Sequence, residues 1–120
     1  MSIIIFSNNP DVLAAHPAHT RAIDGGVADV FVAVRDAVHL GARLVSHPLS
    51  GSLKPNETPY KSVALSTTQG QFDEKSLHLI ENAITTLAKF PKKNRVYSER
   101  ILQDYRVIDL DLMSSINFLR

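Results

Sequence analysis

The short apolar run Ile3–Phe6 is the feature that most restricts how this chain can fold. An unbroken β-favouring run predicts a strand covered on both faces, because a strand with one wet face would alternate with polar residues. A helix start follows at once, since Asn9 suits the N-cap and Pro10 the first helical position. Pro17 would end that helix near His16. The chain therefore opens with a buried strand and a short helix.

Three more helical regions are predicted by apolar residues at helical spacing. The stripe from Val27 to Val38 predicts one helix, which Gly41 would close in a left-handed cap. The segment Glu74–Phe90 shows a second stripe and is followed by a proline. Ser98 would cap a last helical region, which we expect to be interrupted near Asp109.

Short β-favouring segments alternate with these helices, at Thr20–Asp24, Arg43–Ser46 and Ser62–Thr67. Parallel neighbours require crossover connections, and helices are the usual crossovers. We therefore predict an α/β fold: a single layered domain with a small, mainly parallel sheet flanked by helices. The length of 120 residues suits one domain, here residues 1–120.

The composition excludes several classes of function. Thirteen basic residues face 12 acidic ones, for a net charge of +1, whereas nucleic-acid binding usually leaves a strong basic excess. The absence of cysteine removes disulfides, thiolate metal sites and thiol nucleophiles. No stretch resembles a secretory signal or a membrane span, so we expect a cytoplasmic protein that binds neither membranes nor nucleic acid.

No motif indicates a metal or a cofactor. The spacing of His16 and His19 would allow metal binding, but Pro17 keeps them off a common helix face and no second ligand pair is evident. The P-loop spacing is absent, and Gly25-Gly26 is not a dinucleotide fingerprint because a third glycine is missing. We expect solvated histidines, no metal and no cofactor.

The segment His47–Lys61, which reads HPLSGSLKPNETPYK, is long, polar and stiffened by three prolines. A connection of this length inside a compact domain is unusual unless it binds a ligand or is disordered, and proline argues against disorder. It follows a predicted strand, as do Asn8 and Asn9. Because ligands bind beyond the carboxyl ends of strands in α/β sheets, we expect these segments to share one edge.

Hydrogen-bond donors dominate this predicted edge, which suits a small anionic metabolite such as a carboxylate or phosphate. Glycine lets backbone N–H groups approach an anion closely, and a helix start adds unpaired N–H groups. The predicted ligand-binding residues are Asn8, Asn9, Ser50, Gly51, Ser52, Lys54, Asn56, Glu57, Tyr60 and Lys61.

His47 is the candidate catalytic residue, because its ordinary pKa lies near neutrality and it stands at a strand end beside the loop. A structural role is the alternative, in which the ring hydrogen-bonds a loop carbonyl. Glu57 could orient His47 or pair with Lys54 or Lys61, and we favour pairing with a lysine. A serine nucleophile beside His47 is disfavoured, since no GxSxG signature occurs.

Five motifs of the chain are informative together: NNP after the first strand, VRDAVHLG in the second helix, SHPLSGSLKPNETPYKSV, IENAI and ILQDYRVIDLDL. These motifs carry a resemblance to the GrdX family, small proteins encoded beside glycine reductase genes in amino-acid-fermenting anaerobes. It implies a single GrdX-like domain with an accessory role near glycine reductase. The reductase chemistry that the resemblance implies runs through thiols and selenols, and a chain without cysteine cannot carry a cysteine-based redox step.

Three functions remain open. The first is an accessory protein that binds a small anion at the strand edge. The second is an enzyme that acts on an acyl or phosphoryl compound through His47. The third is an interaction module that docks a glycine reductase component through the 47–61 loop, whose stiffness would lower the ordering cost of binding. A homodimer is compatible with all three.

Overall fold

A computed structural model describes residues 3–49, 58–67, 72–90 and 96–116 of the chain. In chain order the elements are β1 Ile3–Ser7, α1 Pro10–Ala15, β2 Thr20–Ala22, α2 Val27–His39, β3 Arg43–Leu44, β4 Ser62–Ser66, α3 Glu74–Lys89 and α4 Glu99–Ser114. Strands and helices alternate from β1 to β3, as the sequence predicts, and β3 is then followed by a strand and two helices.

The strands form one sheet in the order β2-β1-β4-β3, and this sheet is mixed. β1 and β2 are parallel, whereas β4 is antiparallel to both β1 and β3. The prediction of a mainly parallel sheet is therefore wrong. The reason is that β3 runs toward the edge at which β4 begins, so the connection between them is not a crossover from one edge to the other. Only a crossover would have made β4 parallel to its neighbours.

Helices cover both faces of the sheet, which gives three layers. On one face, α2 and α3 pack against Phe6, Val63 and Leu65. On the other face, Val12 of α1 and Met113 of α4 belong to a second core, together with Ile3, Ile5 and Ala64. The double coverage predicted for the first strand is confirmed. No helix in the ranges described here combines the length and apolarity needed to cross a membrane.

Local signals in the sequence set the ends of the helices. The side chain of Asn9 caps α1 by accepting from the Asp11 N–H, and Pro10 is its first residue. Gly41 has φ of 105°, a left-handed conformation that favours glycine, directly after α2. Ser98 caps α4 as predicted.

Two expectations about the lengths of elements are corrected by the structure. α4 runs through Asp109 without a break, because this carboxylate is buried with hydrogen-bond partners rather than exposed at a helix end. β2 and β3 are shorter than predicted. After β3, the Val45 and Ser46 N–H groups both donate to the Ala64 carbonyl, at 2.8 and 3.3 Å, so regular pairing ends there.

The outer edge of β3 is covered by the first turn of α3. The Leu44 N–H donates to Ser76 Oγ at 3.0 Å, and the Ser76 hydroxyl donates to Asp73, the N-cap of α3. An unpaired edge N–H can pair with another chain, so this contact protects the sheet against edge-to-edge association.

Candidate functional site

The carboxyl ends of β1 and β2 lie at one edge of the sheet, where β4 begins. β3 runs toward the same edge but ends earlier, because its last residue, Leu44, is paired with Leu65. Ser7, the last residue of β1, is paired with Ala22 at the end of β2 and with Ser62 at the start of β4. The chain leaves β1 toward α1 on one face and leaves β2 toward α2 on the opposite face. Connections that diverge in this way leave a crevice between them.

Asn8 ties three segments together at this edge. Its amide nitrogen donates to the Gly25 carbonyl at 3.0 Å and to the Pro59 carbonyl at 2.8 Å. Its amide oxygen accepts from the Lys61 N–H at 2.8 Å. Asn8 therefore holds the end of the 47–61 loop against the turn that precedes α2. Both amide protons of Asn8 are used by these protein contacts.

Asn9 connects α1 to α4 from a buried position. While its oxygen caps α1, its nitrogen donates to the Arg106 carbonyl at 3.0 Å and to Asp109 Oδ2 at 3.1 Å. The side chain is almost fully buried. In this arrangement the Asn9 amide joins two helices, and its protons are directed at protein acceptors.

A chain of buried hydrogen bonds ends on Asp109. The Asn9 N–H donates to Ser7 Oγ at 2.9 Å, and Ser7 Oγ lies 2.6 Å from Ser62 Oγ. The Ser62 hydroxyl donates to Asp109 Oδ2 at 2.6 Å, and the Ser62 N–H donates to Asp109 Oδ1 at 3.0 Å. Because the Ser62 proton is directed at Asp109, the Ser7 hydroxyl is the donor to Ser62.

Sequence reasoning missed Asp109 as a member of this site. The available signal was its position, since a lone acid on the apolar face of α4 must be buried with partners or end the helix. The sequence predicts a helix interrupted near Asp109, whereas the structure shows a buried carboxylate within a continuous helix.

Lys61 is the basic residue that lies deepest at this edge, among those the structure describes, with 9% of its surface exposed. Burial lowers the pKa of its ammonium, and the nearby Asp109 carboxylate offsets this only in part. An additional negative charge close to the ammonium would favour its charged form. A small anion is one source of such a charge.

Tyr60 is linked to α4 through Arg106. The guanidinium donates to the Tyr60 hydroxyl at 3.0 Å and lies over its ring, 5.5 Å from the ring centre. Arg106 also pairs with Glu99 at 2.6 Å and with Asp11 at 3.8 Å. The contacts to Glu99 and Tyr60 raise the pKa of Arg106. Arg106 was not a predicted site residue, yet it holds the residue before Lys61.

His47 is exposed, and its Nδ1 accepts from the Leu49 N–H at 3.0 Å. In the structural role considered from the sequence, the His47 ring would bond a loop carbonyl. The observed partner is a loop N–H instead. An Nδ1 that accepts places the proton of the neutral ring on Nε2. The acid–base role of His47 stays a prediction.

Most of the predicted loop ligands lie outside the described residues. These are Ser50, Gly51, Ser52, Lys54, Asn56 and Glu57. Four of the predicted residues, Asn8, Asn9, Tyr60 and Lys61, are brought to the edge around Asp109. Of the two histidines considered for metal binding, His16 contacts Ser114 Oγ through Nε2 at 3.1 Å. Within the described part of the chain, no three His, Asp or Glu side chains gather as metal ligands would.

Comparison with known proteins gives one informative result. Neither a search of curated proteins nor a search of solved structures found a match. The sequence model described as GrdX-like protein matches residues 4–117, which is nearly the whole chain. By this match, the chain belongs to the GrdX-like protein family.

Proposed function

We propose that this protein is an accessory protein that binds a small carboxylate or phosphate at the carboxyl ends of the strands, beside the ends of β1 and β2. One observation carries the proposal: Asn8 fastens Pro59 and Lys61 beside the carboxyl end of β1. Two segments that are far apart in the sequence thereby converge around a largely buried ammonium group.

The topology supports this location. Helices α1 and α2 leave neighbouring strands toward opposite faces, and ligands of open α/β sheets bind at such divergence points. Asn8 contributes to the shape of the crevice rather than to the ligand, because its amide is engaged by Gly25, Pro59 and Lys61.

The electrostatics favour a small anion held mainly by Lys61. Charge–charge attraction is stronger at a buried site than at the surface, so a bound anion would offset the desolvation of this ammonium. Asp109 already supplies part of the negative charge. We therefore propose that the loop donors complete the site. The predicted ones are Ser50, Gly51, Ser52, Lys54 and Asn56, with Glu57 paired to a lysine.

The family context narrows the ligands worth testing. As the resemblance implies, GrdX proteins are encoded with glycine reductase, which uses glycine and yields acetyl phosphate. A carboxylate or an acyl phosphate of that kind would fit the proposed site. The role would be to sense or hold the metabolite, or to assist assembly with a glycine reductase component.

A thermal-shift screen tests the proposal with glycine, acetate, acetyl phosphate, inorganic phosphate and nucleotides. A ligand at 100 times its dissociation constant adds about 2.7 kcal/mol to the free energy of unfolding. We expect a shift with one of the first four compounds, and we expect Lys61→Gln to abolish it. Lys89→Gln is the matched control, because Lys89 is an exposed lysine at the end of α3. An equal shift in both variants, or no shift with any compound, would refute the proposal.

His47 supports a second candidate, an enzyme that acts on an acyl or phosphoryl compound. The observation in its favour is that His47 is exposed and presents a protonated Nε2 when neutral, because Leu49 occupies Nδ1. A neutral imidazole does not give up this proton near pH 7, but its N–H can donate a hydrogen bond that stabilises negative charge developing on an acyl or phosphoryl oxygen. We expect the wild type to hydrolyse acetyl phosphate and His47→Ala to lose this activity. Turnover unchanged by His47→Ala would exclude the role.

A further inference from the structure

The flank of α4 that turns away from α1 carries an apolar stripe. Its members are spaced four, three and four residues apart, the spacing of the seam between two packed helices. Ile101 and Ile108 are 44% and 45% exposed. Tyr105 is half-buried edge-on against Tyr97, with ring centres 5.6 Å apart, and Leu112 is half-buried against the second core, so these two side chains form the floor of the stripe and the two isoleucines its open part. The stripe is formed by Ile101, Tyr105, Ile108 and Leu112.

This stripe is separate from the proposed anion site. Asp109 and Met113 of α4 face the sheet, and Arg106 and Ser114 face α1. With 3.6 residues per turn, the stripe lies on the opposite side of Asp109 from Arg106. The stripe and the proposed anion site therefore share no side chain of α4.

Acidic residues border the solvent side of the stripe. Asp104 and Asp111 are both exposed and occupy positions directly beside the seam. Arg100 lies one turn before Asp104 and farther from the stripe, and Glu99 is paired with Arg106. The border of the seam is therefore negative.

The charge pattern argues against a second copy as the occupant. If two α4 helices paired in antiparallel fashion through the stripe, Asp104 of each copy would face Asp111 of the other. Like charges at these flanking positions oppose pairing, whereas opposite charges there select the partner. The complementary occupant is an apolar helix with basic flanks.

We propose that the stripe on α4 docks an amphipathic helix of another protein, whose apolar seam is flanked by lysine or arginine. The 4-3-4 spacing of the stripe favours a helical partner. The carboxylates of Asp104 and Asp111 favour basic residues on that partner. The exposed apolar side chains of Ile101 and Ile108 would insert between those of the partner. The resulting contact is a helix-in-groove interaction.

Two labelled synthetic peptides test the proposal by fluorescence anisotropy with the full chain. Both carry a leucine seam with 4-3-4 spacing. One has lysine at the flanking positions and the other has glutamate. We expect the lysine peptide to bind at least about tenfold more tightly than the glutamate peptide. Binding should weaken at high salt, because exposed charge pairs are screened.

Ile108→Asp should abolish binding of the lysine peptide, and Val32→Asp should leave it unchanged. Val32 is the matched control, being an exposed valine on α2 with 40% of its surface accessible. A cooperative melting curve and a circular-dichroism spectrum unchanged from the wild type would show that Ile108→Asp is folded. If Ile108→Asp does not fold, the milder substitution Ile101→Ser takes its place. We expect Ile101→Ser to bind the lysine peptide more weakly than the wild type does.

Charge reversal gives the most specific result. The double variant Asp104→Lys/Asp111→Lys should prefer the glutamate peptide. Equal affinity of the wild type for both peptides, or binding that survives Ile108→Asp in a folded protein, would overturn the proposal. Sedimentation that shows a wild-type dimer and an Ile108→Asp monomer would assign the stripe to a second copy and would also overturn it.

Discussion

Ser62 and Asp109 are joined by two hydrogen bonds, since the Ser62 N–H and hydroxyl donate to the same carboxylate at 3.0 and 2.6 Å. The contact fastens the middle of α4 to the first residue of β4. Asn9 adds a third donor from the start of α1. One acidic residue thus holds two helices to the edge of the sheet where the anion site is proposed.

Replacement of Asp109 by alanine should strongly destabilise the fold. Three buried donors on Ser62 and Asn9 would lose their acceptor, and an unsatisfied buried group costs about 1–3 kcal/mol. We expect the free energy of unfolding, measured by urea denaturation, to fall by about 3 kcal/mol in Asp109→Ala. Asp111→Ala, on the exposed side of the same helix, should change it by less than about 0.5 kcal/mol. Equal losses of unfolding free energy in Asp109→Ala and Asp111→Ala would contradict a stabilising role for the hydrogen bonds to Asp109.

Replacement of Asn8 should release the end of the 47–61 loop. Asn8→Ala removes the contacts to Gly25, Pro59 and Lys61, with a loss of about 1–2 kcal/mol in the free energy of unfolding. Hydrogen exchange at the Lys61 amide should become faster, because its acceptor is gone. Asn8→Asp keeps that acceptor and should protect the Lys61 amide better. Unchanged exchange in Asn8→Ala would show that the loop end is held by other contacts.

The pH dependence of stability should reveal the buried ammonium of Lys61. Burial lowers its pKa below the ordinary value of 10.5. Between the lowered pKa and 10.5 the unfolded chain binds more protons than the folded one, so the free energy of unfolding rises with pH in that window. We expect the free energy of unfolding of the wild type to rise relative to that of Lys61→Met as the pH rises toward 10.5. A difference in the free energy of unfolding that does not vary with pH would contradict a lowered pKa of Lys61. Lys89→Met, at an exposed lysine, is the control variant.

Replacement of Ser76 should open the outer edge of the sheet. Ser76→Ala removes the acceptor for the Leu44 N–H and the hydroxyl that donates to Asp73. We expect a loss of about 1 kcal/mol in the free energy of unfolding and faster exchange at the Leu44 amide. Thr85→Ala is the control, since Thr85 is exposed on the same helix and its hydroxyl donates to the Glu81 carbonyl one turn earlier. Exchange at Leu44 that is the same in both variants would count against edge protection.

Several elements were predictable from the sequence because their causes are local. The Asn9-Pro10 pair starts α1, the stripe from Val27 to Val38 gives the buried face of α2, and Gly41 takes the left-handed conformation after it. Each signal acts within a turn or two of the chain. The family was also predictable, because its motifs are runs of adjacent residues.

The direction of β4 and the burial of Asp109 were decided by tertiary structure. Pairing of Ser7 with Ser62 spans 55 residues, and the Ser62–Asp109 contact spans a further 47. Periodicity within one segment cannot report such pairings, because they depend on which edge the chain returns to after β3. The sequence alone determined that helices flank a sheet, the residues that begin α1 and α4, and the polar character of the strand edge. The tertiary structure decided which polar groups there are bound to one another, because hydrogen bonds between distant segments form only once the sheet has brought them together.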